Sequence, residues 1–298
     1  MKAIMVGAQS LALGHSEVVV AGGFESMTNV PYYMERGMTP YGSVKLKDGL
    51  VFDGLTDVYN KFHMGLCGEN TAAKHGISRE EQDAYAMESY RRSAKAYEEG
   101  IIQREIVEFS VLQGKKEPLV VKEDEEFRKF KPEKFAALKP AFKKEDGTVT
   151  AGNASTLSDG AAACVLMTAQ AAEEMKVTPL ARIVGYADGA TDPIDFPIAP
   201  KFSTDKLLRQ VGMSAEEVDL WEINEAFSVV VLANMKLHGL DHAKVNVHGG
   251  AVSLGHPLGA SGARITNHLV YALKSGQRGV ASICNGGGGA SSIMIEKL

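Results

Sequence analysis

The stretch His248-Gly249-Gly250-Ala251-Val252-Ser253-Leu254-Gly255-His256-Pro257-Leu258-Gly259-Ala260-Ser261-Gly262 sets the tightest limit on how this chain can fold. Two histidines sit among five glycines there, directly ahead of an apolar run at helical spacing. A second cluster, Cys284-Asn285-Gly286-Gly287-Gly288-Gly289, follows the strand-like run Gly279-Val280-Ala281-Ser282-Ile283. Glycine at that density lets backbone approach a ligand closely and reach dihedral angles closed to other residues. A histidine and a cysteine, each on such a loop, are the residue types of acid–base or nucleophilic chemistry. The competing reading, and the one composition alone favours, is two turns over a buried cysteine.

A chain of 298 residues is long enough for a large core and roughly two domains. Its 45% hydrophobic and 23% charged residues are an ordinary soluble composition. A net charge of -5 argues against a nucleic-acid partner, which calls for a basic face. Three cysteines, Cys67, Cys164 and Cys284, are too few and too scattered for a disulfide framework or a zinc site, so a reducing compartment fits. No run is long and apolar enough to span a membrane, and the first residues read neither as a signal peptide nor as an arginine-rich transit segment.

Met1-Lys2 leads straight into an apolar pattern at positions 4, 5, 8, 11 and 12, which predicts a buried helix with no residue ahead of it to cap it. Gly14 stops that helix, and Glu17-Val18-Val19-Val20-Ala21 predicts a short buried strand ended by Gly22-Gly23. Residues 26–57, with Pro31-Tyr32-Tyr33 and Pro40-Tyr41-Gly42, predict an ordered but irregular loop region. Helices are expected at 64–74 and after Ser78, where Glu81 completes a capping box and Gly100 closes the run. Residues 115–144 are charged, with Glu123-Asp124-Glu125-Glu126 ahead of Lys129, Lys131, Lys134 and Lys139; they read as a solvated face or a phosphate-binding patch.

Beyond Thr148, strands are expected at 161–167, 180–187, 220–223 and 244–248, and helices at 169–176, 204–211, 226–237 and 261–275. A hairpin-like pair is expected at 280–284 and 290–295. The run Asn153-Ala154-Ser155 with Asp159-Gly160-Ala161-Ala162-Ala163-Cys164-Val165-Leu166-Met167 echoes Asn285-Gly286 with Gly289-Ala290-Ser291-Ser292-Ile293-Met294-Ile295. A duplicated α/β unit explains the echo, and the alternation of elements predicts mostly parallel sheets with helices outside.

Asn224-Glu225-Ala226-Phe227, Gly255-His256-Pro257, Cys284-Asn285-Gly286-Gly287-Gly288-Gly289 and Asn153-Ala154-Ser155 together resemble the thiolase family, over essentially the whole chain. The resemblance implies an α/β, duplicated α-β-α-β-α layered fold whose first domain is incomplete. It divides the chain into a remnant of the N-terminal domain (1–26 and 157–177), a loop domain for coenzyme A binding and oligomer contacts (27–156), and a C-terminal domain (178–298). It also implies reversible conversion of two acetyl-CoA to acetoacetyl-CoA and CoA. In that reaction Cys284 takes the C2 proton, His256 activates the nucleophile and bonds the thioester oxygen, and Asn224 holds a water in the same oxyanion hole. The Gly286 N–H belongs to a second hole. Glu225 reads either as a carboxylate supporting the loop or as a direct participant, and His248 and His268 as structural or surface histidines.

For coenzyme A the resemblance implies Ser155 on the pantetheine arm, His63 and Met64 in the covering loop, and Tyr90, Lys129, Phe130, Lys131 and Lys134 near the nucleotide. A potassium ion is implied at Tyr90, Ala151, Gly152, Ala154 and Val252, mostly through backbone carbonyls. Phe196-Pro197 resembles the feature that admits 2-methyl-branched acetoacetyl-CoA, which links the chain to isoleucine breakdown and ketone bodies. A dimer of dimers, with the loop at 32–49 near its contacts, and a mitochondrial (alternatively cytoplasmic) location complete the expectation. One departure stands out: the family's nucleophile lies in Cys-Ala-Ser-Gly just ahead of Met-Lys-Ala, and this sequence starts at Met1-Lys2-Ala3. The expectation is therefore an N-terminally truncated thiolase, inactive alone. The alternative is a non-catalytic isoform that binds coenzyme A or pairs with full-length subunits. A β-ketoacyl synthase is disfavoured because that family carries a second histidine where this chain has Cys284, and a papain-like hydrolase because neither motif context nor pattern suits it.

Overall fold

The computed structural model describes residues 1–37 and 41–298; Pro40 of the expected Pro40-Tyr41-Gly42 turn lies outside them. Helix α1 (Lys2–Ala12) buries Ile4 and Met5 and has no side-chain cap; the Met1 carbonyl accepts from the N–H groups of Ile4 and Met5. Strand β1 (Val18–Ser26) does not end at Gly22-Gly23 as expected but runs through them. A Cβ on Gly22 would lie 2.3 Å from the Ala162 carbonyl oxygen, and one on Gly23 2.1 Å from that of Gly259. The two glycines thus serve close approach rather than termination. Nor is this strand buried: Val20 is 72% and Phe24 79% exposed.

The stretch at 26–57 carries the short pair β2 (Tyr32–Tyr33) and β3 (Lys47–Asp48). Helices α2 (Met64–His75) and α3 (Arg79–Glu98) follow as expected, the second opened by the Ser78/Glu81 capping box. The charged segment then begins with the exposed hairpin β4 (Phe109–Gln113) and β5 (Lys116–Val121).

Strand β6 (Asp159–Met167) pairs antiparallel with β1, and α4 (Ala169–Glu174) closes this half. The second half contains β7 (Ala181–Ala190), α5 (Ala199–Val211), β8 (Leu220–Ile223), α6 (Ser228–His238), α7 (Ala251–Leu254), α8 (Leu258–Ala272), β9 (Arg278–Asn285) and β10 (Gly289–Lys297). Its sheet has the order β7-β10-β9-β8. The expectation of mostly parallel sheets fails, because β10 is antiparallel to both neighbours and only β8 and β9 run parallel. The glycine turn between β9 and β10 forces the reversal.

The strand expected at 244–248 reduces to isolated bridges, Trp221 with Val245 and Val247 with Gly249. Asn246 takes a positive φ of 47°. Its side chain replaces the ladder, with Oδ1 accepting from Ile223 N and Nδ2 donating to Ile223 O, both at 2.8 Å.

The layers follow from burial. Met1, Ile4 and Met5 of the α1 segment and Ala263, Ile265 and Leu269 of α8 fill one core between the two sheets, meeting Ala21 on one side and Ile293 and Ile295 on the other. On the far face of the larger sheet, Leu207 and Val231 pack against Trp221 and Met294. The sequence echo has a structural counterpart, since α1, β1 and β6 repeat the order and antiparallel pairing of α8, β9 and β10.

Candidate active site

Strands β8 and β9 run parallel, and Asn224 N donates to Ser282 O at 3.0 Å just past the end of β8. Asn224 and Cys284 therefore leave neighbouring strands at the same end of the sheet, the end where α/β sheets place ligands. The third component arrives on the glycine-rich stretch. Gly255 has φ +96°, and a Cβ on it would lie 2.2 Å from Ser158 Oγ, so only glycine fits. Gly160 lies against the Pro257 ring and Gly23 against the Gly259 carbonyl, which seats this turn on β1 and β6. His256 N then donates to Thr156 O at 3.2 Å.

So held, the His256 ring is buried with both nitrogens engaged: Nδ1 is 2.6 Å from Ser261 Oγ, and Nε2 is 3.2 Å from Asn224 Nδ2. Burial, with Arg264 nearby, pulls its pKa down to about 4, so the ring is neutral at pH 7. Asn224 Oδ1 is buried and has no partner among the described residues, which leaves it able to accept from a water or a ligand. Cys284 sits opposite Ala290 on β10, and burial pushes its thiol up to about 12. The following turn needs Gly287 and Gly288 at φ +80° and +91°, and a Cβ on Gly286 would come within 2.9 Å of Met64 Cε. The arrangement is a neutral imidazole, an amide with an unused oxygen and a buried thiol, bordered by backbone a ligand can approach. It can hold and move one proton next to a developing oxyanion.

The comparisons with known proteins decide the family. Residues 1–170 match "Thiolase, N-terminal domain" and residues 177–297 match "Thiolase, C-terminal domain". The chain belongs to the thiolase family.

Among its relatives is the mitochondrial acetyl-CoA acetyltransferase of Xenopus tropicalis, 62% identical over all 298 residues and 71% of that protein. The human protein of the same name is 60% identical across the whole chain and 70% of its own length. The solved Acat5 thiolase from Ascaris suum in complex with coenzyme A superposes with a TM-score of 0.96 at 51% identity, covering all of this chain and 76% of that one. Human mitochondrial 3-ketoacyl-CoA thiolase gives 0.94 at 40% identity, with the same coverage.

Several of the other expected site residues of this thiolase gather round the same end. Met64 and Phe196 share a core cluster with Cys284 and Phe227. His63 caps α2, its Nδ1 accepting from Gly65 N at 3.0 Å, and stacks on Phe142 with ring centroids 4.7 Å apart. Ser155 Oγ donates to the Ala226 carbonyl at 2.9 Å, which ties the 150–156 loop to the segment after Asn224. Tyr90 is buried, stacks on Phe130 at 4.7 Å and shares a cluster with Phe135 and Val252, while Gly152 lies against Phe135 and Leu138. Ala154 bridges to Phe227 in the cluster that holds Cys284. Of the residues expected at the potassium ion, Tyr90, Gly152, Ala154 and Val252 are buried and Ala151 is exposed; backbone carbonyls are the hard oxygen donors an alkali cation takes. Among the described residues no group of three or more His, Cys, Asp or Glu could hold a metal ion. Lys129 is exposed and ion-paired with Glu125 and Glu126 at 3.1 Å, and Lys131 and Lys134 are exposed on the next 3₁₀ turn.

Glu225 resolves in favour of support. Its Oε1 accepts from Tyr85 Oη (2.7 Å) and Asn246 Nδ2 (3.0 Å), and its Oε2 from Ser89 Oγ (2.8 Å) and Val252 N (3.0 Å). The histidines read as ordinary form a linked pair: His248 Nδ1 is 3.0 Å from His268 Nε2, and His268 Nδ1 is 2.8 Å from Glu105 Oε1, so His268 is internal rather than on the surface. Of the other thiols, Cys67 points at the Pro193 carbonyl, 3.9 Å away, and Cys164 pairs with Ala21 across β1 and β6. Sequence reasoning passed over Ser261, Thr156 and Glu105. Ser261 was open to detection, since it lies four residues after Pro257 on the helical run that His256 precedes.

Proposed function

We propose that the chain supplies the acid–base half of acetyl transfer between acetyl-CoA molecules, the reversible reaction joining two acetyl-CoA to acetoacetyl-CoA and CoA. The observation that carries this reading is the Asn224–His256 contact of 3.2 Å at the sheet end where Cys284 leaves its strand. Relatives named acetyl-CoA acetyltransferase at 60–62% identity, and coenzyme A bound to the Ascaris suum neighbour, support the substrate class. In this reading Cys284 exchanges the proton at C2 of the acetyl group. His256 and a water held by Asn224 meet the thioester oxygen, and the Gly286 N–H meets a second oxygen, where a side chain would collide with Met64. Burial holds Cys284 as a thiol in the open site. That suits thiolysis, in which it gives a proton to the departing acetyl carbanion, whereas condensation requires the thiol to lose its proton first.

Coenzyme A would lie along His63, Met64 and Ser155, with its nucleotide toward Tyr90, Phe130, Lys129, Lys131 and Lys134. A potassium ion would sit at Tyr90 and the carbonyls of Ala151, Gly152, Ala154 and Val252, where its charge orders the loops; no proton moves through it. Phe196, packed in the cluster with Cys284, is placed to select acyl shape, including 2-methyl branching. A dimer of dimers, a mitochondrial location, and division into 1–26 with 157–177, 27–156 and 178–298 belong to the same proposal. The reaction uses two thiols and Cys284 is the one at this site, so the 298 residues alone are expected not to cleave acetoacetyl-CoA. Titration calorimetry with CoA, alongside a thiolysis assay, tests this. Saturable CoA binding without thiolysis is expected; absent CoA binding contradicts the substrate class, and thiolysis that survives Cys284→Ala contradicts the role of Cys284.

A further inference from the structure

A neutral imidazole carries one proton, and the partners of His256 decide which nitrogen holds it. Ser261 Oγ lies 2.6 Å from His256 Nδ1 and 3.0 Å from the Pro257 carbonyl oxygen. A hydroxyl has one hydrogen and a carbonyl can only accept; because a donor, Asn224 Nδ2, faces Nε2, the ring proton belongs on Nδ1 and the Ser261 hydrogen goes to Pro257. Its oxygen is left to accept from Nδ1–H. Nε2 is then bare, and it faces a donor, the Asn224 amide nitrogen, at 3.2 Å. The buried Asn224 oxygen takes no part in this contact and has no partner among the described residues. Ser261 is itself 1% exposed, in the first turn of α8, and its backbone N–H donates to the same Pro257 carbonyl at 3.0 Å. Hydroxyl and carbonyl are therefore fixed to one another by the helix.

We propose that Ser261, braced on the Pro257 carbonyl, is a positioning residue that holds His256 as the Nδ1–H tautomer and presents Nε2 to the substrate as the proton-accepting nitrogen. The catalytic consequence rests on the reading of His256 under Proposed function; the tautomer rests on geometry alone. When a thiol such as that of CoA gives up its proton, the S–H bond breaks, an N–H bond forms at Nε2, and a thiolate and an imidazolium result. Nδ1–H stays on Ser261 throughout, the part an aspartate plays in a Ser-His-Asp triad. The new Nε2–H is then the donor for a thioester oxygen. The two tasks expected of His256 follow one another on a single nitrogen.

Nitrogen-15 NMR of histidine-labelled chain without ligand, with the His256 ring assigned through its loss in His256→Asn, reads the tautomer directly. Wild-type His256 is expected to carry its proton on Nδ1, and Ser261→Ala to shift population to the Nε2–H form. The same variant, with a hydrogen already on Nε2 to meet the thioester oxygen, is expected to speed exchange of the acetyl-CoA C2 protons about tenfold or more with KM unchanged. A wild-type proton on Nε2, a tautomer unmoved in Ser261→Ala, or an exchange rate unchanged or slowed overturns the proposal. If acetyl-CoA does not bind at all, the functional reading fails, and the NMR arm still decides the role of Ser261.

Discussion

Asn224 and Glu225 are consecutive, both almost wholly buried, and opposite in how their polar atoms are satisfied. Every lone pair of the Glu225 carboxylate meets a donor, from Tyr85, Asn246, Ser89 and Val252. The Asn224 amide has one contact, to His256, and a buried oxygen with none among the described residues. A saturated carboxylate is structural cement: it fixes where β8 ends and where α7 begins, and has no capacity left for a ligand. The underused amide beside it is where a water would be received, its hydrogen meeting Asn224 Oδ1. One peptide bond separates the part of the site that must not move from the part that must respond.

The comparison breaks first at Glu225. Glu225→Ala would strand four donors, and hydrogen bonds to a charged group are worth roughly 1.5–3 kcal/mol each, though they do not add. A loss of about 3 kcal/mol in urea unfolding is expected; a variant as stable as wild type would show the network to be dispensable. Asn224→Ala should do the reverse, lowering acetyl-CoA C2 exchange about 100-fold while costing under about 1 kcal/mol of stability. Equal losses in both properties would erase the distinction between the two residues.

A third effect comes from pH. Burial holds His238, His248 and His256 each down at about 4. A histidine depressed in the folded state contributes stability that is present above its unfolded value near 6.5 and lost as pH falls toward the folded one. His268 runs the other way: burial opposes its charge, but Glu222 and Glu105 outweigh that and raise its pKa. Its contribution is full below the unfolded value and fades as pH rises through the folded one. Burial also lowers His63 and His242, and these five histidines outweigh His268 together with Glu222, whose carboxyl burial pushes up to about 7 and which gains stability as pH falls, so the urea midpoint is expected to drop between pH 6.5 and 4.5. A flat profile over that range would mean these rings are not buried and neutral.

Much of the fold was legible because period and punctuation are local. The apolar spacing of α1, the Ser78 and Glu81 cap, and the glycine turn between two small-residue strands each specify an element without help from distant residues. The misreadings were all non-local. Gly22-Gly23 looks like a stop in one dimension and is a contact surface in three, where β6 and α8 press on it. Residues 244–248 have strand composition, yet the Asn246 side chain takes the hydrogen bonds a ladder would use. At the site, His256, Asn224 and Cys284 stood out by motif, whereas the role of Glu225 depended on partners more than a hundred residues away, such as Tyr85 and Ser89. The pairing of His248 with His268, and through it with Glu105, was invisible for the same reason.

The most direct test of the central claim is deuterium incorporation into the acetyl group of acetyl-CoA in D2O, followed by mass spectrometry with the chain and with Cys284→Ala. Exchange well above the buffer rate, lost by a factor of about 100 or more in the variant, is the predicted result. Exchange no faster than buffer, or undiminished in Cys284→Ala, would contradict the assignment of proton transfer at C2 to this site.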